Sequence, residues 1–127
     1  KKGSRIIQID SGSAFLPQPG FAVYAASKAY VLSFDQALGA ELKDRGITVT
    51  SVCPGPVDTE FFQTGGIALS PLKKIFLAKP QKVVKKALFD AEAGKDLSLG
   101  RSMKLLRLLG SVLPQKLILE VMRKLFL

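Results

Sequence analysis

The sequence predicts an α/β fold built on a parallel sheet, and three observations carry that expectation. Two β-branched runs, Arg5–Ile9 and Ile47–Val52, flank a stretch of helix formers from about Ala22 to Arg45. Each run stops at a loop-forming cluster, Asp10-Ser11-Gly12-Ser13 after the first and Pro54-Gly55-Pro56 after the second. Gly46 stands where a helix C-cap glycine belongs. Strand, long helix and strand make a βαβ unit, with parallel strands and a right-handed crossover. The 127 residues, 47% hydrophobic and 23% charged, suffice for one packed domain rather than a disordered chain.

Taken in order, the chain opens on Lys1-Lys2-Gly3-Ser4 and enters a strand at once, with no Met, apolar signal core or targeting pattern. That start reads as a cut through something longer. A second loop signal, Pro17-Gln18-Pro19-Gly20, precedes the helix. The helix is apolar on more than one side. Val23, Ala26, Tyr30 and Phe34 fall near one stripe, and Ala22, Ala25, Ala29 and Leu32 occupy others. A helix covering a sheet needs one such stripe, so the second face packs within the same fold or meets another subunit. Thr64–Lys79 mixes Gly65-Gly66 and Pro71 with apolar residues. Pro80 suits a helix start, and Val83, Val84, Ala87, Leu88 and Ala91 continue at helical spacing. Asp96–Leu99 reads as one more short strand. The tail from Ser102 reads as amphipathic helix interrupted at Gly110 and Pro114, with Lys116, Glu120, Arg123 and Lys124 along one side of its last part.

Composition removes whole classes of chemistry. Without His there is no Ser-His-Asp, Cys-His or His-metal mechanism. One cysteine, Cys53, can form neither an intrachain disulfide nor a Cys-rich zinc site, so no metal site is expected and a reducing compartment, the cytoplasm, is. Neither Gly-x-Gly-x-x-Gly nor a Gly-Lys-Ser/Thr phosphate loop occurs. Chemistry falls to Ser, Tyr, Lys and carboxylates. The net charge of +9 is lopsided: residues 64–127 hold thirteen Lys/Arg against four acids, while residues 1–63 are balanced at six each.

Parallel strands end at one edge of the sheet, and ligands of open α/β sheets bind outside those carboxyl ends. Ser11 and Ser13 follow the first strand, Pro54-Gly55 follows the second, and the helix between them begins near the same edge with Tyr24 and Lys28 in its first two turns. Their i, i+4 spacing puts Tyr24 and Lys28 on one helix face. An unperturbed phenol, with a pKa of about 10, is a poor proton donor or acceptor at neutral pH. A nearby cation and the positive helix end both favour the phenolate. Such a pair, with a Ser hydroxyl fixing the substrate oxygen, suits carbonyl/alcohol interconversion. By itself Tyr-x-x-x-Lys is weak, since i, i+4 pairs often only solvate a helix.

The set is specific. Ile6-Ile7-Gln8-Ile9-Asp10-Ser11, then Pro19-Gly20-x-x-x-Tyr24-x-x-x-Lys28, then Val52-Cys53-Pro54-Gly55-Pro56-Val57-Asp58-Thr59 resembles the catalytic half of the short-chain dehydrogenase/reductase family over about residues 3–62. The resemblance implies the C-terminal half of a Rossmann-like doubly wound parallel sheet, with NAD or NADP as cofactor and nothing here to distinguish them. It implies Tyr24 as general acid/base, Lys28 easing its deprotonation and hydrogen-bonding the nicotinamide ribose, and Ser11 orienting the substrate carbonyl, with Ser13 as the fallback. Pro54 and Gly55 would shape the loop against the nicotinamide, with the Val57 backbone and Thr59 on the carboxamide side. Asp10 replaces the Ser or Thr often found there, and is expected to take no part in the mechanism. Residues 1–100 are thus expected to form the partial catalytic unit, with 59–80 as substrate lid, and 101–127 a basic amphipathic tail. Apolar residues of the lid (Phe61, Phe62, Ile67, Leu69, Leu72) either face a greasy substrate or simply pack the lid.

The family's Gly-rich turn, ribose selector and Asn-Ala-Gly segment with its catalytic Asn would lie upstream of Lys1. The 127 residues alone are therefore expected to be marginally stable and inactive. The helix 22–45 resembles the family's dimer contact, implying a homodimer or tetramer. For residues 102–127 the expectation is packing against the core or a dimer mate first, and an anionic membrane surface second. Nucleic acid is not expected, because the basic residues alternate with aliphatics and lack base-stacking aromatics. The rival to the enzyme is a non-catalytic half-fold serving as an interaction or membrane-surface module.

Overall fold

The computed structural model describes residues 1–66 and 77–126. Strand β1 (Arg5–Ile9) leads through a 3-10 turn (Gly12–Phe15) to helix α1 (Ala22–Leu42), which tightens into a 3-10 turn at Lys43–Arg45. Then come β2 (Thr48–Cys53), a single turn α2 (Phe61–Thr64), α3 (Pro80–Glu92), β3 (Leu97–Leu99), α4 (Arg101–Val112) and α5 (Gln115–Phe126). The strands form one parallel sheet in the order β1-β2-β3, with Ile7 opposite Thr50 and Cys53 opposite Leu99. The α/β class and the parallel βαβ unit are as expected.

Gly46 makes the crossover return. Its φ of 65° is left-handed, and its N–H donates to Lys43 O at 2.9 Å while its carbonyl accepts from Gly3 N–H at 2.8 Å. Only glycine adopts that conformation without steric cost.

β2 is buried at every position from Val49 to Cys53, because helices cover both faces of the sheet. Side chains alternate along a strand. Ser51 Oγ donates to Asp35 Oδ2 of α1 at 2.9 Å, and Cys53 packs with Leu32 of α1 and Leu99 of β3. Thr50 points the other way, donating to Lys95 O at 2.7 Å, and Ser98 donates to Asp90 of α3 at 2.8 Å. α1 and α3 therefore lie on opposite faces, the doubly wound arrangement.

The structure decides several local features that the sequence leaves open, and changes one. The stripe Val23, Tyr30 and Phe34 faces outward, Val23 being 85% exposed. The core face of α1 is Ala25, Leu32 and Asp35, so of the two apolar sides the one with Ala25 and Leu32 meets the sheet, and a carboxylate goes in with it. In α3 the buried residues are Ala87, Asp90 and Ala91, while Val84 and Leu88 are exposed. Gly110 does not interrupt the tail: α4 runs through it, and the break falls at Leu113–Pro114. The reason is close packing. A Cβ at Gly110 would stand 2.7 Å from Leu16 Cδ2 and 2.9 Å from Phe15 O, a backbone atom that cannot step aside. α4 and α5 close a second small core in which Leu16, Ile118 and Met122 pack with Phe15 and Leu106. Gly110→Val should cost about 1–3 kcal/mol by overpacking, read as a lower urea midpoint of the protein at unchanged slope. A midpoint that stays put would mean that α4 does not need this approach.

Candidate active site

The carboxyl ends of β1 and β2 run side by side into the loops carrying the candidate residues. Asp10 N–H donates to Val52 O and Gly12 N–H to Pro54 O, each at 2.8 Å, so the ladder continues past both strands. Ser11 caps the 3-10 turn, its Oγ accepting from Ser13 N–H at 3.1 Å. One lone pair is thereby engaged, and the hydroxyl proton remains available for donation. Ser13 lies inside the turn and lines an apolar cavity of about 510 Å³ that also touches Leu16, Pro19, Ala25, Ala29 and Leu119.

Helix α1 starts beside this edge and carries Tyr24 and Lys28 one turn apart. Lys28 Nζ donates to Ile9 O, at the end of β1, at 3.4 Å and sits 5.9 Å from the Tyr24 ring centroid. Lys28 thus reaches the strand end two residues before Ser11. Among the described residues no hydrogen bond joins Ser11, Tyr24 and Lys28 directly. The Tyr24 ring tilts against Phe61 at 5.8 Å, and Phe61 meets Phe62 edge-on at 5.4 Å. Phe61 was noticed in the sequence only as a lid residue, since nothing in its spacing tied it to Tyr24.

The loop after β2 is held from two sides. Met103 of α4 lies over Gly12 and Gly55, where a Cβ on either glycine would crowd its thioether end. No sequence signal links Met103 to this edge. Val57 forms a parallel bridge with Ala78: Asp58 N–H donates to Ala78 O and Ala78 N–H to Pro56 O, each at 2.9 Å. Neither the N–H nor the carbonyl of Val57 is used in that bridge. Thr59 Oγ1 accepts from Phe61 N–H at 3.4 Å at the start of α2. Of the expected lid 59–80, residues 67–76, with Ile67, Leu69 and Leu72, lie outside the described residues.

Two buried groups behind the site were not foreseen as a pair. Burial pushes the Asp10 carboxyl up, against the pull of the Ser11 amide and the Lys28 charge. Burial also pushes the Cys53 thiol up to about 12, helped by the negative charge of Asp10, whose Oδ2 accepts from Cys53 Sγ at 3.8 Å. A thiol held so firmly protonated is no nucleophile. That leaves the hydroxyls of Ser11, Ser13 and Tyr24 and the Lys28 amine as the candidate groups at this edge.

The edge can accept one end of a dinucleotide. Lys28, the turn at Pro54-Gly55 and the Val57 backbone groups, which have no hydrogen-bond partner among the described residues, would hold a nicotinamide and its ribose, whereas no Gly-x-Gly-x-x-Gly exists among these 127 residues to cradle a pyrophosphate.

Comparison with known proteins agrees with this layout. A family model described as short chain dehydrogenase matches residues 1–66. An NADPH-dependent aldehyde reductase-like chloroplastic protein of Arabidopsis thaliana is 48% identical over 63 residues, covering 50% of this chain and 23% of that protein. A 3-oxoacyl-[acyl-carrier-protein] reductase of Synechocystis is 42% identical over 60 residues, covering 47% and 24%. Among solved structures, a short chain dehydrogenase of Burkholderia cenocepacia in complex with NADP superposes with a TM-score of 0.75 at 28% identity, over 93% of this chain and 47% of that one. The chain thus spans about a quarter of these two curated relatives and about half of that structure. With its motif-bearing residues matched and its sheet superposed on members of the group, the chain belongs to the short-chain dehydrogenase family.

Proposed function

We propose that the protein is an NAD(P)(H)-dependent oxidoreductase that interconverts a carbonyl and an alcohol on an apolar substrate. The observation that carries the reading is the convergence at one sheet edge. Lys28 reaches the end of β1, the Ser11 turn is bonded to the Pro54 loop, and Tyr24 stands one turn from Lys28. When bound, the nicotinamide supplies or accepts the hydride. Tyr24 gives its hydroxyl proton to the substrate oxygen as the alcohol forms, and takes it back in the reverse direction. The Lys28 ammonium steadies the phenolate left behind and holds the ribose. Ser11, its lone pair occupied by Ser13 N–H, donates a hydrogen bond to the same substrate oxygen and orients the carbonyl.

Two further features support the finer reading. The cavity on the Ser13 side of the turn touches none of Ser11, Tyr24 and Lys28, but its lining is almost wholly carbon, and an apolar substrate body extending past the turn would find apolar surface there. The outward stripe of α1, with Val23, Tyr30 and Phe34 exposed, supports self-association through that helix. The structures of Burkholderia and Sphingobium yanoikuyae relatives were solved with NADP and NADPH, so NADPH is the form to try first.

The test is NADPH oxidation by the whole protein with aliphatic and aromatic aldehydes and ketones, together with direct NADPH titration. Lys28→Met should weaken NADPH binding and lower kcat/KM together, each by about 10-fold or more. Unchanged cofactor affinity in that variant, or no turnover with any carbonyl while NADPH binds, overturns the assignment.

A further inference from the structure

We infer that the α4–α5 hairpin is a docking surface for an anionic lipid membrane. This rests on its own observations, since neither helix contributes Ser11, Tyr24 or Lys28.

α4 has two apolar faces. Met103, Leu106 and Gly110, spaced i, i+3, i+7, turn toward the body of the protein, where Leu106 packs on the small core and Gly110 abuts Phe15 and Leu16. Leu105, Leu108, Leu109 and Val112, spaced i, i+3, i+4, i+7, occupy the opposite side and are exposed, Val112 at 71%. Lys104 and Arg107 lie along the flank between the two faces. α5 repeats the design. Ile118 and Met122 are buried, while Leu117, Val121 and Leu125 form an exposed i, i+4, i+8 row, Leu125 at 62%, beside Lys116, Arg123 and Lys124. Packing against the core therefore uses one face of each helix and leaves a second apolar face outward.

The charge says what covers it. Residues 101–126 carry six Lys/Arg and one acid, Glu120, and all six cations are exposed. Among the described residues the salt bridges are those of Asp90 with Lys86 and Lys95, so none of the six is neutralised by an acidic partner. A second copy joined hairpin to hairpin about a two-fold axis would set this patch against itself, with like charges opposed. A nucleic acid would answer the cations and leave the leucine rows in water. A bilayer surface with anionic headgroups answers both: apolar rows enter the acyl boundary and flanking cations meet the headgroups. The attachment is to a surface. No described helix is long and apolar enough to cross a membrane.

The experiment is co-sedimentation of the whole protein with phosphatidylcholine vesicles, with and without about 30% phosphatidylserine, in about 0.1 M salt. At least about 10-fold more protein should pellet with the anionic vesicles. Lys104→Glu/Arg107→Glu and, separately, Leu108→Ser/Val112→Ser should each lower that binding about 10-fold or more. All four side chains point outward, and unchanged circular dichroism and light-scattering mass establish that the fold and assembly persist. No pelleting with either vesicle overturns the inference. So does pelleting that survives the serine pair, which marks a patch for polyanions in general, or a change of mass in that pair, which marks a face covered by another chain. Because the readout is binding, failure here leaves the oxidoreductase reading untouched, and failure of turnover leaves this one.

Discussion

Tyr24→Phe is expected to lower carbonyl turnover by about 100-fold to 10,000-fold, the range in which a positioned proton donor acts, while leaving NADPH affinity within about 2-fold. The change removes one oxygen and nothing else. The ring keeps its contact with Phe61 at 5.8 Å and its place beside Lys28, so neither the helix start nor the approach to the end of β1 is disturbed. What is lost is the proton that must reach the substrate oxygen as charge develops on it, and with His absent the chain has no imidazole to replace it. Cys53 cannot substitute, because burial and Asp10 keep its thiol protonated. The split between the two readouts carries the argument. A fall in both turnover and cofactor affinity would place Tyr24 in binding alone, and turnover within a factor of a few of the parent would remove it from the mechanism.

The course of the chain to this site was legible because each step has a short-range cause. β-branched runs extend, Gly46 turns, Pro80 starts a helix, and parallel strands must end together. Those rules alone put Ser11, Tyr24, Lys28 and Pro54 at one edge. Contacts between distant segments leave no such local trace. Phe61 on Tyr24 and Met103 over Gly55 each join elements more than thirty residues apart, and no periodicity encodes them. Which of the two apolar faces of α1 meets the sheet was left open for a related reason. A buried carboxylate, Asp35, sits on the core side because Ser51 answers it across the sheet, so hydrophobic periodicity alone does not tell that face from the one that turns out. The same effect hid Asp90 in α3.

Asp90 is expected to be the costliest side chain to truncate away from the site. Its carboxylate, 1% exposed, accepts from Lys86 at 2.6 Å, Lys95 at 2.8 Å and Ser98 Oγ at 2.8 Å, tying α3 to β3. Burial alone would raise its pKa. The hydrogen bonds from Lys86, Lys95 and Ser98 outweigh burial and hold the carboxyl well below the usual carboxylate range. Removing it in Asp90→Ala strands the buried Ser98 hydroxyl and forfeits two charge-assisted bonds, but both lysine ends reach solvent and rehydrate. The net loss should be about 2–4 kcal/mol, measured by urea unfolding of the whole protein near neutral pH. The pH dependence follows from the sign of the shift. A folded-state value below the unfolded one, which is about 3.9, gives stability that is complete above that value and is lost as pH falls through it toward the folded value. The parent should therefore lose stability below about pH 4 more steeply than Asp90→Asn, whose amide has no such titration. Parallel acid limbs for the two proteins would mean that this carboxylate is not what the lysines stabilise.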